Sequence, residues 1–173
     1  MLKKLRKIKV KTLVMLGLAV DIGRKNNYPA NVISNSWNNA FTFDDVPCAS
    51  MEGFLQSLKH EEEVSQREIC GMRGKKAKKM ATTNWRATQT LYWKGRAFGR
   101  ETDEFRQLVR SAYQALFNQN RQFRSALLAT KNKRLFHSHG LTDPKKTILT
   151  EQEFCAFLTE LRASNANDVS TKI

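Results

Sequence analysis

The chain has 173 residues, 40% of them hydrophobic, including ten Phe and three Trp. That is one domain's worth of sequence with enough apolar surface to build a core, which excludes a disordered or multidomain reading. Thirty Lys and Arg against 16 Asp and Glu give a formal net charge of +14, a field that attracts polyanions and phosphorylated ligands and points to nucleic acid or a nucleotide-like ligand rather than to a merely solubilising surface.

The N-terminus places Lys3, Lys4, Arg6, Lys7, Lys9 and Lys11 ahead of the apolar run Leu13 to Val20. This resembles the start of a signal peptide, but the run is short, ends at Asp21 and has no small-x-small cleavage site. It is also too short for a membrane span. Val10, Leu13, Val14 and Leu16 suit a strand or short element of the domain itself, so the expected location is cytoplasmic, with no membrane partner. Residues 23–40, with Gly23, Pro29 and six Asn, read as an extended loop. Ala40 to Val46 reads as a strand with Phe41 and Phe43 on one face, turned by Asp44 and Asp45.

Ser50 stands where a helix N-cap belongs. From Met51 to His60 the spacing is helical, with Met51, Phe54, Leu55 and Leu58 forming an apolar stripe. Glu52, Gln56 and Lys59 form a polar stripe beside it. A solvated face is the ordinary reading of such a stripe. Here its surroundings (Asn35, Trp37, Phe41, Phe43) are not especially polar, and Glu52 falls in the first turn, where the helix dipole favours negative charge.

Residues 61–80 read as short charged helices interrupted by Gly71 and Gly74, and 81–100 as a loop with extended pieces. Tyr92-Trp93-Lys94-Gly95-Arg96, followed by Arg100, interleaves aromatics with cations, which suits either stacking on a base or a core tryptophan with solvated charges. Thr102 or Asp103 opens the clearest helix, with Phe105, Leu108, Val109, Ala112, Leu116 and Phe117 on its core face. Asn118 to Asn120 break it, a second helix carries Phe123, Leu127 and Leu128, and Lys133 to His137 reads as a short strand. His137 and His139 share a face there, without the further ligands a metal site needs. Thr150-x-x-Glu153 is a capping box that opens a last helix. The basic segment 1–29 is expected to pack on a domain spanning 30–163, with a polar, frayed tail at 164–173. The expected fold is mainly α with a few short strands, in one compact domain.

Nucleotide-binding and protease signatures such as G-x-G-x-x-G, the Walker loop, H-E-x-x-H and G-x-S-x-G are absent. Cys48, Cys70 and Cys155 form no C-x-x-C pair and suit buried free thiols in a reducing compartment.

The stretch from Ile33-Ser34-Asn35, through Phe41-Thr42-Phe43-Asp44-Asp45, to Ser50-x-Glu52-x-x-x-Gln56-x-x-Lys59 resembles the signature of the NADAR family, named for NAD and ADP-ribose. The likeness continues through Tyr92 to Arg96, Phe105 to Asn120, Leu127 to Thr130, Leu135 to Gly140 and the helix ending in Leu161-Arg162. It covers most of residues 30–162, and its Glu/Gln/Lys segment is the most specific part.

The resemblance implies a compact, mainly helical hydrolase of N-glycosides that needs no cofactor or metal. One family activity removes ADP-ribose from guanine bases of nucleic acid, and another cleaves phosphorylated riboflavin-pathway intermediates. Carried over by position, Glu52 is the catalytic carboxylate, Ser34 and Asn35 shape the pocket, Gln56 and Lys59 support the site, and Trp93 lies against base or ribose. Arg96 and Arg100 are further expected phosphate contacts. Many members carry an aspartate followed by Trp-Gly near the C-terminus, whereas this chain reads His137-Ser138-His139-Gly140-Leu141-Thr142-Asp143-Pro144. Either Asp143 replaces that acid, or His137 or Glu153 supplies the second polar group. The net charge favours an ADP-ribosylated nucleic-acid substrate over a free metabolite. A module that reads ADP-ribose or NAD without cleaving it is the alternative from another class.

Overall fold

The computed structural model describes residues 2–80 and 82–166. Eight helices and six short strands occur among them, in the order α1 (Leu2–Met15), β1 (Ala19–Asp21), β2 (Phe41–Phe43), β3 (Val46–Cys48), α2 (Met51–Ser57), α3 (Glu63–Cys70), α4 (Gly74–Lys79), α5 (Trp85–Thr88), β4 (Thr90–Trp93), β5 (Arg96–Gly99), α6 (Asp103–Gln119), α7 (Arg121–Ala129), β6 (Arg134–Phe136) and α8 (Glu151–Ala166). The mainly α class with a few short strands holds. The tail expected from residue 164 is helical through Ala166, and its remainder lies outside the described residues.

Local chemistry explains most of these boundaries. Asp44 and Asp45 both adopt left-handed backbone, with φ of 46° and 62°, so β2 and β3 close as an antiparallel hairpin around a two-residue turn. Phe41 and Phe43 alternate into the core while Thr42 faces out. Thr102 caps α6 by accepting from the Phe105 N–H. The capping box forms as expected: Thr150 Oγ1 accepts from the Glu153 N–H at 3.2 Å, and the Glu153 carboxylate accepts from the Thr150 N–H at 2.8 Å.

The longest helix, α6, packs against β2, β5, α7 and α8. Its face of Phe105, Val109, Ala112, Leu116 and Phe117 is buried, and Tyr113 joins it. Beside it, Phe43, Phe54 and Trp93 form an aromatic cluster with centroids 5.1–5.9 Å apart. The extended pieces expected within 81–100 pair as the β4–β5 hairpin, which drives Leu91, Trp93 and Phe98 into this core.

The N-terminus differs most from expectation. Where a strand or short element was expected, residues 2–15 form a 14-residue helix, and the strand is confined to Ala19–Asp21. One face of α1 is apolar enough to bury Val10 against the domain. The strand then pairs in parallel with β6, Val20 opposite Leu135. A parallel pair needs a long crossover, and here nearly the whole domain provides it. No described helix is long and apolar enough to cross a membrane.

Candidate active site

Met51 through Ser57 of helix α2 are all buried. Its polar stripe is therefore not a solvated face. Ser50 starts the helix by accepting from the Gly53 N–H at 3.1 Å, and the same hydroxyl donates to the Met72 carbonyl at 3.3 Å. Gly53 lets α2 lie directly on the end of α3. A Cβ there would fall 2.8 Å from the carbonyl oxygens of Cys70 and Met72.

This packing presents Glu52 to a cleft of about 310 Å³. Gln56 Nε2 donates to Glu52 Oε1 at 2.8 Å, and Lys59 Nζ donates to Gln56 Oε1 at 2.6 Å. Lys78 Nζ stands 3.8 Å from the same Glu52 oxygen. Glu52 Oε2 has no hydrogen-bond partner among the described residues. The carboxylate is thus oriented through one oxygen, and the other is left for a ligand or water.

Asn35 forms the neighbouring wall. Its carbonyl accepts from the Glu52 N–H at 2.8 Å, and its side-chain oxygen accepts from the Tyr113 hydroxyl at 2.7 Å. Burial holds the Tyr113 phenol protonated by raising its pKa well above the usual tyrosine value. With Oδ1 engaged, the Asn35 Nδ2 group makes no hydrogen bond among the described residues.

His137 closes the opposite wall. Its Nδ1 lies 2.8 Å from the Ile22 carbonyl oxygen. A carbonyl only accepts, so Nδ1 carries a proton, and Nε2 has no hydrogen-bond partner among the described residues. The ring meets Phe154 edge-on, with centroids 5.4 Å apart. Gly140 fits against it where a Cβ would come within 2.8 Å of the imidazole.

The rim is cationic. Lys59, Lys78, Arg86 and Lys146 line the cleft against one carboxylate, Glu52. Burial lowers the Lys59 pKa to about 8; Glu52 opposes that shift, while Arg86 and Lys78 add to it. The chain supplies these cations from four separate places. Lys78, Arg86, Lys146 and His139 were not singled out as cleft residues from the sequence, because nothing in spacing brings them to α2.

Of the expected site residues, Glu52, Asn35, Gln56, Lys59 and His137 line one cleft. Ser34 is buried behind Asn35 with its hydroxyl 3.3 Å from that of Ser36. The other four lie elsewhere. Trp93 is a core residue whose indole N–H donates to Asp44 at 2.8 Å, so its ring does not reach the cleft. Arg96 is exposed and paired with Glu104. Arg100 is wholly buried, donating to Glu153 at 2.6 and 3.0 Å and to the Thr147 carbonyl at 3.1 Å. Asp143 accepts from the Lys145 N–H at 3.0 Å and stands 3.6 Å from Lys146 Nζ, outside the cleft lining. Glu153 is also occupied: burial disfavours its charge, but hydrogen bonds from Arg100 and Thr150 outweigh that and hold its pKa below the usual range. Of Asp143, Glu153 and His137, only His137 lines the cleft with Glu52. Among the described residues, no cluster of three or more His, Cys, Asp or Glu is placed to hold a metal ion.

Comparison with known proteins places this architecture. Residues 27–163 match the family model described as bacteriophage protein GP30.3. The chain is 37% identical over 149 residues to an uncharacterized 17.1 kDa protein in the Gp30–rIII intergenic region of Enterobacteria phage T4, covering 84% of this chain and 97% of the phage protein. The NMR structure of the E. coli protein YbiA shares the fold, with a TM-score of 0.60 at 18% identity over 87% of each chain.

Proposed function

The chain belongs to the bacteriophage GP30.3 family, within the NADAR clan, and from that premise we propose that it is an N-glycoside hydrolase that removes ADP-ribose from guanine bases of nucleic acid or nucleosides in the cytoplasm. The observation that carries this reading is the Glu52 carboxylate, buried, oriented through one oxygen by Gln56 and open at the other, inside a cleft with a cationic rim. A binding module would need the cations but not a carboxylate facing an anionic ligand.

In this reading Lys78, Arg86 and Lys146 hold the phosphates of the ADP-ribosyl group, and the Asn35 amide donates to a ribose or base oxygen. As the bond between ribose C1′ and the guanine nitrogen lengthens, positive charge builds on C1′. The nearby carboxylate stabilises that charge. The bonding electron pair leaves with the guanine nitrogen, which takes a proton from the protonated Nε2 of His137. Water adds to C1′ and gives its proton to Glu52. The products are free ADP-ribose and the restored base. Lys59 keeps Gln56, and through it Glu52, in place.

Hydrolysis of an oligonucleotide carrying ADP-ribose on guanine tests the reading, with free ADP-ribose measured for the wild type and Glu52→Gln. Release by the wild type and a loss of about 10²- to 10⁴-fold in the variant are expected. Binding without release by the wild type would replace the hydrolase with a non-catalytic reader. If the wild type neither bound nor cleaved, the same chemistry on a phosphorylated riboflavin-pathway metabolite would take its place.

A further inference from the structure

A second concavity of about 650 Å³ opens between α1 and the 25–30 loop, and it is not part of the cleft. The helix presents three flanks, because successive residues turn by about 100°. Val10 faces the domain and is buried. Lys7 and Lys11, one turn apart, face the concavity. On the opposite flank Arg6 pairs with Glu151 of α8, and Lys9 falls on that side. Lys25 and Lys133 complete the basic walls, and Tyr28 lines the groove with 58% of its surface exposed. None of these four lysines forms an ion pair among the described residues. The carboxylate in the floor, Asp21, is already used: it accepts from the Ser138 N–H at 2.8 Å and from the Ser138 hydroxyl at 2.6 Å. Four unpaired cations and an exposed ring thus share one trough, which adjoins the cleft at His139, since that residue lines both.

We propose that this groove is a track for a single strand of nucleic acid, with the lysines on successive phosphates and Tyr28 stacked on a base, delivering the adjoining nucleotide past His139 to the cleft. A lone phosphorylated metabolite would engage the rim of the cleft but not a second trough of this size beside it. Lysines on both walls with an aromatic between them are the arrangement that binds a strand without reading its sequence. Both α1 and Lys25 precede residues 27–163, so much of the track lies outside the stretch that matches the family model. The proposal rests on the hydrolase reading only for what enters the cleft; strand binding is measured without turnover.

The test is the salt dependence of oligothymidylate binding to the full chain. Lys7→Gln/Lys11→Gln and Lys25→Gln/Lys133→Gln should each lower the log–log salt slope by about 1.4, which is roughly a twentyfold loss of affinity at 0.1 M salt. Tyr28→Ala should weaken binding by about fivefold or more with the slope unchanged. Unchanged helical circular dichroism and Tm separate these effects from unfolding. Lys9→Gln, on the far flank of the same helix, should leave the slope as it is. Slopes equal to wild type in both double variants would overturn the proposal. So would a loss in Lys9→Gln as large per lysine as in the groove, which would mean diffuse charge rather than a track. Tight binding to phosphatidylglycerol vesicles, lost in the double variants while oligothymidylate binding persists, would overturn it in favour of a membrane surface. If no modified oligonucleotide is cleaved but the double variants lose strand binding, the groove stands and the hydrolase reading falls. If ADP-ribose is released while strand affinity is unaffected by the variants, the reverse holds.

Discussion

Glu52 on α2 and Arg100 just after β5 are both buried charges, yet the fold uses them in opposite ways. Each nitrogen of the Arg100 guanidinium donates, two to Glu153 and one to the Thr147 carbonyl, and the group lies 4.7 Å from the Phe105 ring centroid. It fixes the 144–150 loop to α8 and β5. Glu52 is held through one oxygen only, and its nearest cation, Lys78, stays at 3.8 Å. A buried charge whose partners are all protein groups is architecture. One left half-satisfied and facing a cleft is poised for a ligand.

The contrast can be broken by swapping consequences. Glu52→Gln should cost activity as described above while changing unfolding free energy by less than about 1 kcal/mol, since sites kept half-satisfied are not optimised for stability. Arg100→Met should do the reverse and cost about 3 kcal/mol in urea unfolding, because it strands Glu153 without its partner. Arg100→Met/Glu153→Met should recover much of that loss. Equal stability losses for Glu52→Gln and Arg100→Met would erase the distinction.

Gly53→Ala sharpens the comparison from the side of packing. The added methyl meets two carbonyl oxygens at 2.8 Å, so α2 must shift, at about 1–3 kcal/mol. Activity should fall as well, since Glu52 moves with the helix.

The smallest effect expected is pH-linked. The Lys59 pKa is lowered to about 8 from its ordinary 10.5, mainly by burial. Below pH 8 the folded chain bears the whole cost of burying the ammonium. Between about 8 and 10.5 the unfolded chain binds more protons, so stability from this residue rises with pH. Lys59→Met should therefore raise Tm at pH 7, with the gain shrinking toward pH 10. A gain independent of pH would remove Lys59 from this account.

The sequence was legible where one stretch carries its own partners. The Ser50 cap, the two stripes of α2 and the Thr150–Glu153 box are read from spacings of three and four, and each appears in place. The cleft's rim was not legible. Lys78, Arg86 and Lys146 meet only because α4, α5 and the loop before α8 converge, and no local pattern encodes that. Trp93 and Arg96 mislead for a related reason. Aromatics alternating with cations describe a half-buried hairpin as well as a base-stacking platform, and pairing with Arg96 to Gly99 sends Trp93 inward. Helix α1 escaped because its lysines conceal a narrow apolar face that becomes useful only once β1 has a partner. Asp143 looked like the missing acid by position alone; its carboxylate is taken up by the Lys145 N–H and Lys146 and does not line the cleft.

The hold of the Ile22 carbonyl on His137 spans 115 residues of chain. On the ribosome, at about 5–20 residues per second, β1 would wait roughly 6–23 s for β6 to be made. His137, made just after β6, then meets an acceptor synthesised long before it. The cleft is thus completed only by the later half of the chain, around a carboxylate that was synthesised long before.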